Sequence, residues 1–251
     1  MKLTLTLFER NLLIFLFLIS LSIFSSLSFS KHNSVVVTRH HLATEVGSKI
    51  LQDGGNAFDA AISVAFALAV VNPSAGNIGG GGFMVINFEN GSSTAIDFRE
   101  VAPLNSKENM FQDEEGNVID GLSTSSILSV GVPGTVAGMG YIHEKYATLP
   151  WDQLLYPAFL LAKYGFELDQ HNHYLFNNLS LIDKLSKDEE TRKIFIENKI
   201  YSLNDLIVQP DLAKTLLRIS KHGYKEFYFG QTADNIISCI CLLYTSDAAD
   251  E

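Results

Sequence analysis

Apolar side chains recur at helical spacing in several stretches of the sequence. Leu42, Val46 and Ile50 follow one another every four residues, which predicts an amphipathic helix over residues 42–52. Gly54 comes shortly after this stretch, where glycine commonly ends a helix. Comparable patterns predict further helices over residues 135–145, 151–164, 169–185 and 211–221.

The stretch from residue 57 to residue 71 is apolar on nearly every side of a helix. A helix of that kind is buried inside a layered fold rather than lying on its surface. Asn56 precedes the stretch and Asp59 follows three residues later, a pair that predicts a reciprocal capping box. Pro73 ends the pattern, so we expect a buried, capped helix here.

Two runs with strand character, residues 83–88 and 94–98, flank Asn90 and Gly91. An Asn-Gly pair between such runs is the strongest short-range signal of a β-hairpin. The first half of the chain therefore mixes helices with a hairpin, and the second half reads as mostly helical. We expect one mixed α/β domain over residues 31–237, with helices layered over a sheet.

The first thirty residues have a different character. Residues 11–29 contain no charged side chain, and the basic Arg10 precedes them. Ser28 and Ser30 have the small-residue spacing that a signal peptidase prefers. Because the apolar run is also nearly long enough to cross a bilayer, residues 1–30 are expected to be a signal peptide or an N-terminal membrane anchor. Either implies export, to the periplasm or the extracellular space.

Composition narrows the classes of function. The chain has 251 residues with 47% hydrophobic content, enough for a sizeable core. Its 28 acidic and 18 basic residues give a net charge of −10, which argues against binding to nucleic acid. Cys239 and Cys241 are the two cysteines, and a C-x-C pair alone is too weak a signal for a metal site.

Four consecutive glycines, Gly79, Gly80, Gly81 and Gly82, invite comparison with a phosphate-binding loop. Such loops follow a strand and precede a helix, whereas here a helix precedes the glycines and a strand follows. The lysine and hydroxyl residue of a Walker loop are absent as well. We interpret the four glycines as a structural loop that allows close backbone packing.

Arg99 lies at the end of the second predicted strand, on the same face as Ala95 and Asp97. A guanidinium group in that position can bind a carboxylate through two hydrogen bonds. Position alone leaves open whether Arg99 is such a site, an ordinary surface residue or the partner of an aspartate.

Histidines and serines give no clear catalytic signal. No carboxylate or cysteine accompanies the histidines at recognisable metal spacing, so we predict no metal site. These histidines are expected to be surface or satisfied core residues: His40, His41, His171 and His173. The serines in residues 123–129 lack the G-x-S-x-G turn of a serine nucleophile.

Five blocks of sequence occur in an order that resembles the large subunit of the γ-glutamyltransferases, also called glutathione hydrolases. Each block alone is moderate evidence, whereas five in order are specific. The resemblance extends from about residue 35 to about residue 237. The blocks are residues 53–61 (DGGNAFDAA), 79–84 (GGGGFM), 95–103 (AIDFREVAP), 132–138 (VPGTVAG) and 226–230 (EFYFG).

The resemblance implies an N-terminal-nucleophile hydrolase with a four-layer αββα sandwich, incomplete in this chain. Members of the family are exported precursors that cut themselves into two subunits and need no metal or organic cofactor. A threonine at the start of the small subunit attacks γ-glutamyl amides such as glutathione. Arg99 matches the arginine that binds the α-carboxylate of the substrate. The catalytic threonine lies beyond this chain, so the chain alone is expected to be inactive.

Two other functions stay open at this point. One is a β-lactam acylase of the same superfamily, and the other is a non-catalytic exported protein that binds amino acids at Arg99. From residue 238 to residue 251 the sequence departs from the family and is interpreted as a sequencing artefact. Thr245 lies in this tail and is not expected to be the nucleophile.

Overall fold

The computed structural model describes residues 34–186, 189–196 and 200–247. The predicted signal peptide or anchor, residues 1–30, lies outside them. The chain divides into two units at Val35, and the fold below is that of the second unit, which begins at Val36. Within the described residues, no helix combines the length and apolarity needed to cross a membrane.

Helices dominate the described part of the chain. They are α1 (His41–Gln52), α2 (Ala57–Val71), α3 (Leu122–Ser125), α4 (Thr135–Tyr146), α5 (Trp151–Tyr164), α6 (Gln170–Phe176), α7 (Leu179–Leu185), α8 (Glu189–Phe195), α9 (Pro210–His222), α10 (Glu226–Phe229) and α11 (Gln231–Asp247). The strands are β1 (Phe83–Asn87), β2 (Ser93–Asp97), β3 (Phe166–Glu167) and β4 (Leu206–Ile207). They form two antiparallel sheets of two strands each, β1 with β2 and β3 with β4.

The predicted capping box at the start of α2 is confirmed. The side chain of Asn56 accepts hydrogen bonds from the backbone N–H groups of Phe58 and Asp59, and the Asp59 carboxylate accepts one from the backbone N–H of Asn56. The same carboxylate also accepts bonds from the backbone N–H groups of Thr148 and Leu149. Asp59 therefore ties the start of α2 to the loop that leads into α5.

The hydrophobic core is built around α2, which is buried on several sides as its composition predicts. It packs against α1 and α5, and α5 in turn packs against α9. Phe66 of α2 meets Trp151 of α5 edge to face, with 5.5 Å between ring centroids. The side chains that are fully buried include Ile62, Phe66, Val70, Leu154, Leu155, Leu216 and Ile219. This helical layer supports the hairpin.

The hairpin forms with the predicted turn. Phe83 pairs with Asp97 and Val85 pairs with Ala95 in antiparallel register. Gly91 has a φ of 83°, a left-handed conformation that glycine adopts without steric cost. Residues alternate between the two faces, so Ile86 is buried while Phe83 and Val85 are exposed.

Two predictions need correction. The single helix predicted over residues 169–185 is wrong, because α6 ends at Phe176 and α7 begins at Leu179. The side chain of Asn178 accepts a hydrogen bond from the backbone N–H of Leu181 and so starts a new helix. The predicted arrangement of helices layered over a sheet is found only in part, since the described residues are mostly helical and contain two short antiparallel strand pairs.

Candidate functional site

Arg99 lies two residues past the end of β2 and its side chain is exposed. Its backbone N–H donates a 2.9 Å hydrogen bond to the Asp97 carboxylate, which fixes the turn out of the strand. The guanidinium carbon lies 5.8 Å from the centroid of the Phe83 ring on the neighbouring strand. A cation at this distance is attracted to the face of an aromatic ring, so Phe83 supports the guanidinium group from one side.

The glycine run packs directly against the backbone of Arg99. Gly82 and Phe98 exchange backbone hydrogen bonds of 3.3 and 2.9 Å, which extends the hairpin pairing toward Arg99. A Cβ atom at Gly81 would lie 2.6 Å from both the Cα of Arg99 and the carbonyl oxygen of Phe98. No side chain fits there without a shift of the backbone. A Cβ atom at Gly79, in contrast, would meet nothing closer than 3.7 Å.

Gly134, just before α4, also packs closely against this backbone. A Cβ atom at Gly134 would lie 2.0 Å from the carbonyl oxygen of Phe98. The backbone N–H groups of Gly134 and Thr135 both donate to the carbonyl oxygen of Gly80, at 2.8 and 3.0 Å. The glycine loop, the end of β2 and the start of α4 thus meet around Arg99.

The charge of Arg99 is not neutralised within the described part of the chain, where its side chain forms neither an ion pair nor a hydrogen bond. The nearby Asp97 carboxylate is engaged by the backbone N–H of Arg99 rather than by its guanidinium group. An exposed guanidinium fork with free donors is suited to binding a carboxylate from outside the chain.

The structure also contains a groove that does not include Arg99. It has a volume of about 880 Å³ and lies between the end of α4, the start of α5 and the end of α9. Residues lining it include His143, Trp151, Tyr156, Lys221 and Tyr224. The candidate carboxylate site and this groove are therefore separate features.

Sequence reasoning missed a cluster of possible metal ligands. The structure brings His40, His41 and Asp169 together, with one ligand atom from each lying within 4.8 Å of the others. Adjacent histidines on one helix would face apart, but His40 precedes α1 in an extended conformation, with φ −130° and ψ 132°. Asp169 is distant in sequence, so no local spacing pattern could have found it. His171 lies nearby and its Nε2 is 3.1 Å from Nη2 of Arg39.

Comparison with known proteins agrees with the resemblance. The family model described as gamma-glutamyltranspeptidase matches residues 43–241. The boundary expected at residue 237 between family sequence and tail stays a prediction. A glutathione hydrolase proenzyme of Pseudomonas sp. (strain A14) is 46% identical over 212 residues, which are 82% of this chain. The matched part is only 36% of that proenzyme, so the chain spans about a third of its relative's length.

Solved structures agree as well. The crystal structure of Helicobacter pylori gamma-glutamyltranspeptidase has a TM-score of 0.76 and 46% identity, and the match covers 81% of this chain and 58% of that one. A cephalosporin acylase from Bacillus halodurans has a TM-score of 0.68 at 22% identity, covering 84% of this chain and 42% of its own. The second likeness concerns the fold alone. The chain belongs to the γ-glutamyltranspeptidase family.

Proposed function

We propose that this chain is the large-subunit part of a glutathione hydrolase precursor that cuts itself into two subunits. The complete protein would transfer the γ-glutamyl group of glutathione and related amides to water, amino acids or peptides. Family membership and the 46% identity to a glutathione hydrolase proenzyme support this activity. In this scheme the nucleophilic threonine is in the small subunit, so the 251-residue chain has no turnover of its own.

In the proposed reaction the threonine hydroxyl attacks the γ-glutamyl carbonyl, and the amide bond breaks to release the amine. The amine takes up a proton, and an ester to the threonine remains until water or another amine attacks it. The chemistry calls for no metal or organic cofactor. The role assigned to this chain in the reaction is to bind the substrate.

The observation that carries the proposal is the geometry of Arg99. Its guanidinium group is exposed, has no carboxylate partner among the described residues and lies beside the Phe83 ring. We assign it to the α-carboxylate of the γ-glutamyl group. A hydrogen-bonded charge pair of this kind contributes about 1.5–3 kcal/mol. Since 1.4 kcal/mol corresponds to about a tenfold change in binding, Arg99 should strongly affect the KM.

We also propose that the complete protein has the four-layer αββα sandwich of the N-terminal-nucleophile hydrolases. The hairpin of β1 and β2, backed by the helical layer around α2, would supply part of it. Export through residues 1–30 is a further part of the proposal, with the periplasm or extracellular space as destination.

The first test uses the complete precursor that carries this segment and the substrate γ-glutamyl-p-nitroanilide. Arg99→Met should raise the KM about 10- to 100-fold, because the carboxylate loses its charged hydrogen bonds. The KM of Arg99→Lys should be intermediate, since lysine keeps the positive charge but cannot form two parallel hydrogen bonds to a carboxylate. Arg192→Met, a change on α8, is the control and should leave the KM unaltered, and the 251-residue chain alone should show no turnover.

The same assay separates the two alternatives. A β-lactam acylase would hydrolyse a β-lactam side-chain amide and leave γ-glutamyl-p-nitroanilide intact. A non-catalytic protein would bind glutamate without turnover. An unchanged KM in Arg99→Met would refute the assigned role of Arg99.

A further inference from the structure

We propose that His40, His41 and Asp169 form a binding site for a divalent transition-metal ion such as Zn²⁺. Their candidate ligand atoms lie within 4.8 Å of one another, at the point where the start of α1 meets the start of α6. The cluster shares no residue with the Arg99 site. The inference therefore does not depend on the proposed function.

His40 provides a buried nitrogen atom that lacks a hydrogen-bond partner among the described residues. The residue is only 3% exposed, and the unpartnered atom is its Nε2. Phe166 meets the imidazole ring edge to face, with centroids 5.9 Å apart, and so helps to fix its orientation. A buried polar atom left unpaired destabilises the fold, and a bound cation would satisfy it.

The two carboxylate oxygens of Asp169 make different contacts. Oδ1 accepts a 2.8 Å hydrogen bond from the backbone N–H of Asn172 and caps α6. Oδ2 points toward His40 and lies 3.5 Å from its Nε2, too far for a good N–H···O bond. Two ligands on one tetrahedral zinc, each about 2.0–2.2 Å from the ion, are roughly 3.4 Å apart. The observed spacing therefore fits a shared ion better than a direct hydrogen bond.

His41 is the third ligand and must turn to complete the site. Its ring is stacked on that of His40, with centroids 4.7 Å apart and an angle of 23° between the planes. Nearly parallel rings do not direct their lone pairs at one point, so the His41 ring has to rotate about its side-chain bonds. The side chain is exposed, which leaves room for this rotation. A water molecule would fill the fourth position of the ion.

The ligand set selects the class of metal. Two imidazole nitrogens and one carboxylate oxygen suit Zn²⁺, Co²⁺ or Ni²⁺, whereas Ca²⁺ and Mg²⁺ prefer oxygen ligands alone. Ligation through Nε2 leaves the proton of His40 on Nδ1. The long 3.3 Å bond that Nδ1 accepts from the backbone N–H of Leu42 would then be lost. Metal binding is thus coupled to the first turn of α1.

The test is zinc binding to the complete precursor that carries this segment, measured by isothermal titration after removal of metal with a chelator. Cys239 and Cys241 are replaced by serine in every sample, because thiolates also bind zinc. We expect one bound Zn²⁺ per chain and no binding of Ca²⁺. Asp169→Asn and His41→Gln should each weaken zinc binding at least about tenfold.

The variants are chosen so that folding does not obscure the answer. Asparagine at position 169 can still accept the bond from Asn172, and His41 is exposed, so circular dichroism should be unchanged in both. His222→Gln, at the exposed end of α9, is the matched control and should bind like the parent. If Asp169→Asn fails to fold, His41→Gln decides the question alone.

Cobalt gives a second readout. Co²⁺ in a four-coordinate site absorbs visible light strongly, and this absorption should appear in the parent chain and be lost in His41→Gln. The proposal is overturned if the parent binds no stoichiometric zinc, or if His41→Gln binds zinc as tightly as the parent. Loss of binding in His222→Gln would equally overturn it, since the metal would then lie elsewhere.

Discussion

At the scale of single residues, the buried carboxylate of Asp59 joins the start of α2 to the loop before α5 through several hydrogen bonds. It is fully buried and accepts hydrogen bonds from Asn56, Thr148 and Leu149. Asp59→Asn replaces one acceptor oxygen by a donor group that faces other donors. Because buried donors lose their partner, we expect a loss of about 2–3 kcal/mol in the free energy of unfolding. Urea unfolding at pH 7 measures it.

The difference in the free energy of unfolding between the parent and Asp59→Asn should become smaller at acidic pH. Burial by itself raises the pKa of the Asp59 carboxyl, but the hydrogen bonds from Thr148, Asn56 and Leu149 outweigh it, so the net pKa lies below its ordinary value. The stabilisation by the ionised form is therefore complete above the unfolded pKa of about 4 and is lost as the pH falls through the folded pKa. Asp211→Asn is the control, because Asp211 forms an exposed ion pair with Lys214. This variant should lower the free energy of unfolding by less than about 1 kcal/mol. An equal loss in both variants would contradict the prediction.

At the scale of elements, the glycine loop and the strand end form one unit. Gly81→Ala places a Cβ atom 2.6 Å from the backbone of Arg99, so the loop or the strand must move. We expect about 1–3 kcal/mol of destabilisation from this overpacking, together with a higher KM in the complete precursor. Gly79→Ala is the matched control, since its Cβ atom has space. Equal stability and KM in the two variants would show that the close approach is unimportant.

Local signals in the sequence accounted for the elements whose ends are set by their own residues. The capping box of α2, the Asn-Gly hairpin and the helix predicted over residues 151–164 are confirmed. The prediction for residues 169–185 failed because an apolar pattern does not reveal that Asn178 caps a new helix. The short pair of β3 and β4 also escaped prediction, since its partners are far apart in sequence.

The same limit applied to the candidate sites. Arg99 could be proposed as a site residue from its position at a strand end together with the resemblance, and that role stays a prediction. Its contacts with Phe83 and the close approach of Gly134 to its backbone depend on the folded chain. The cluster of His40, His41 and Asp169 could not be predicted, because it joins two helix starts that only packing brings together. A local pattern in the sequence does not show which distant residues the folded chain brings together.

At the scale of the whole molecule, we propose that the N-terminal segment directs export of the protein. Residues 11–29 carry no charge, and as a helix they would extend about 28 Å at 1.5 Å per residue. That length is close to the hydrocarbon thickness of a bilayer, about 30 Å, so it suits both a signal peptide and an anchor. We expect deletion of residues 1–30 from the complete precursor to abolish export, as measured by cell fractionation.

The undeleted protein distinguishes a signal peptide from an anchor. A mature N-terminus near residue 31, with the protein outside the membrane fraction, would establish a cleaved signal. An intact N-terminus on protein in the membrane fraction would establish an anchor. Export that persists after the deletion would refute the assignment of this segment altogether.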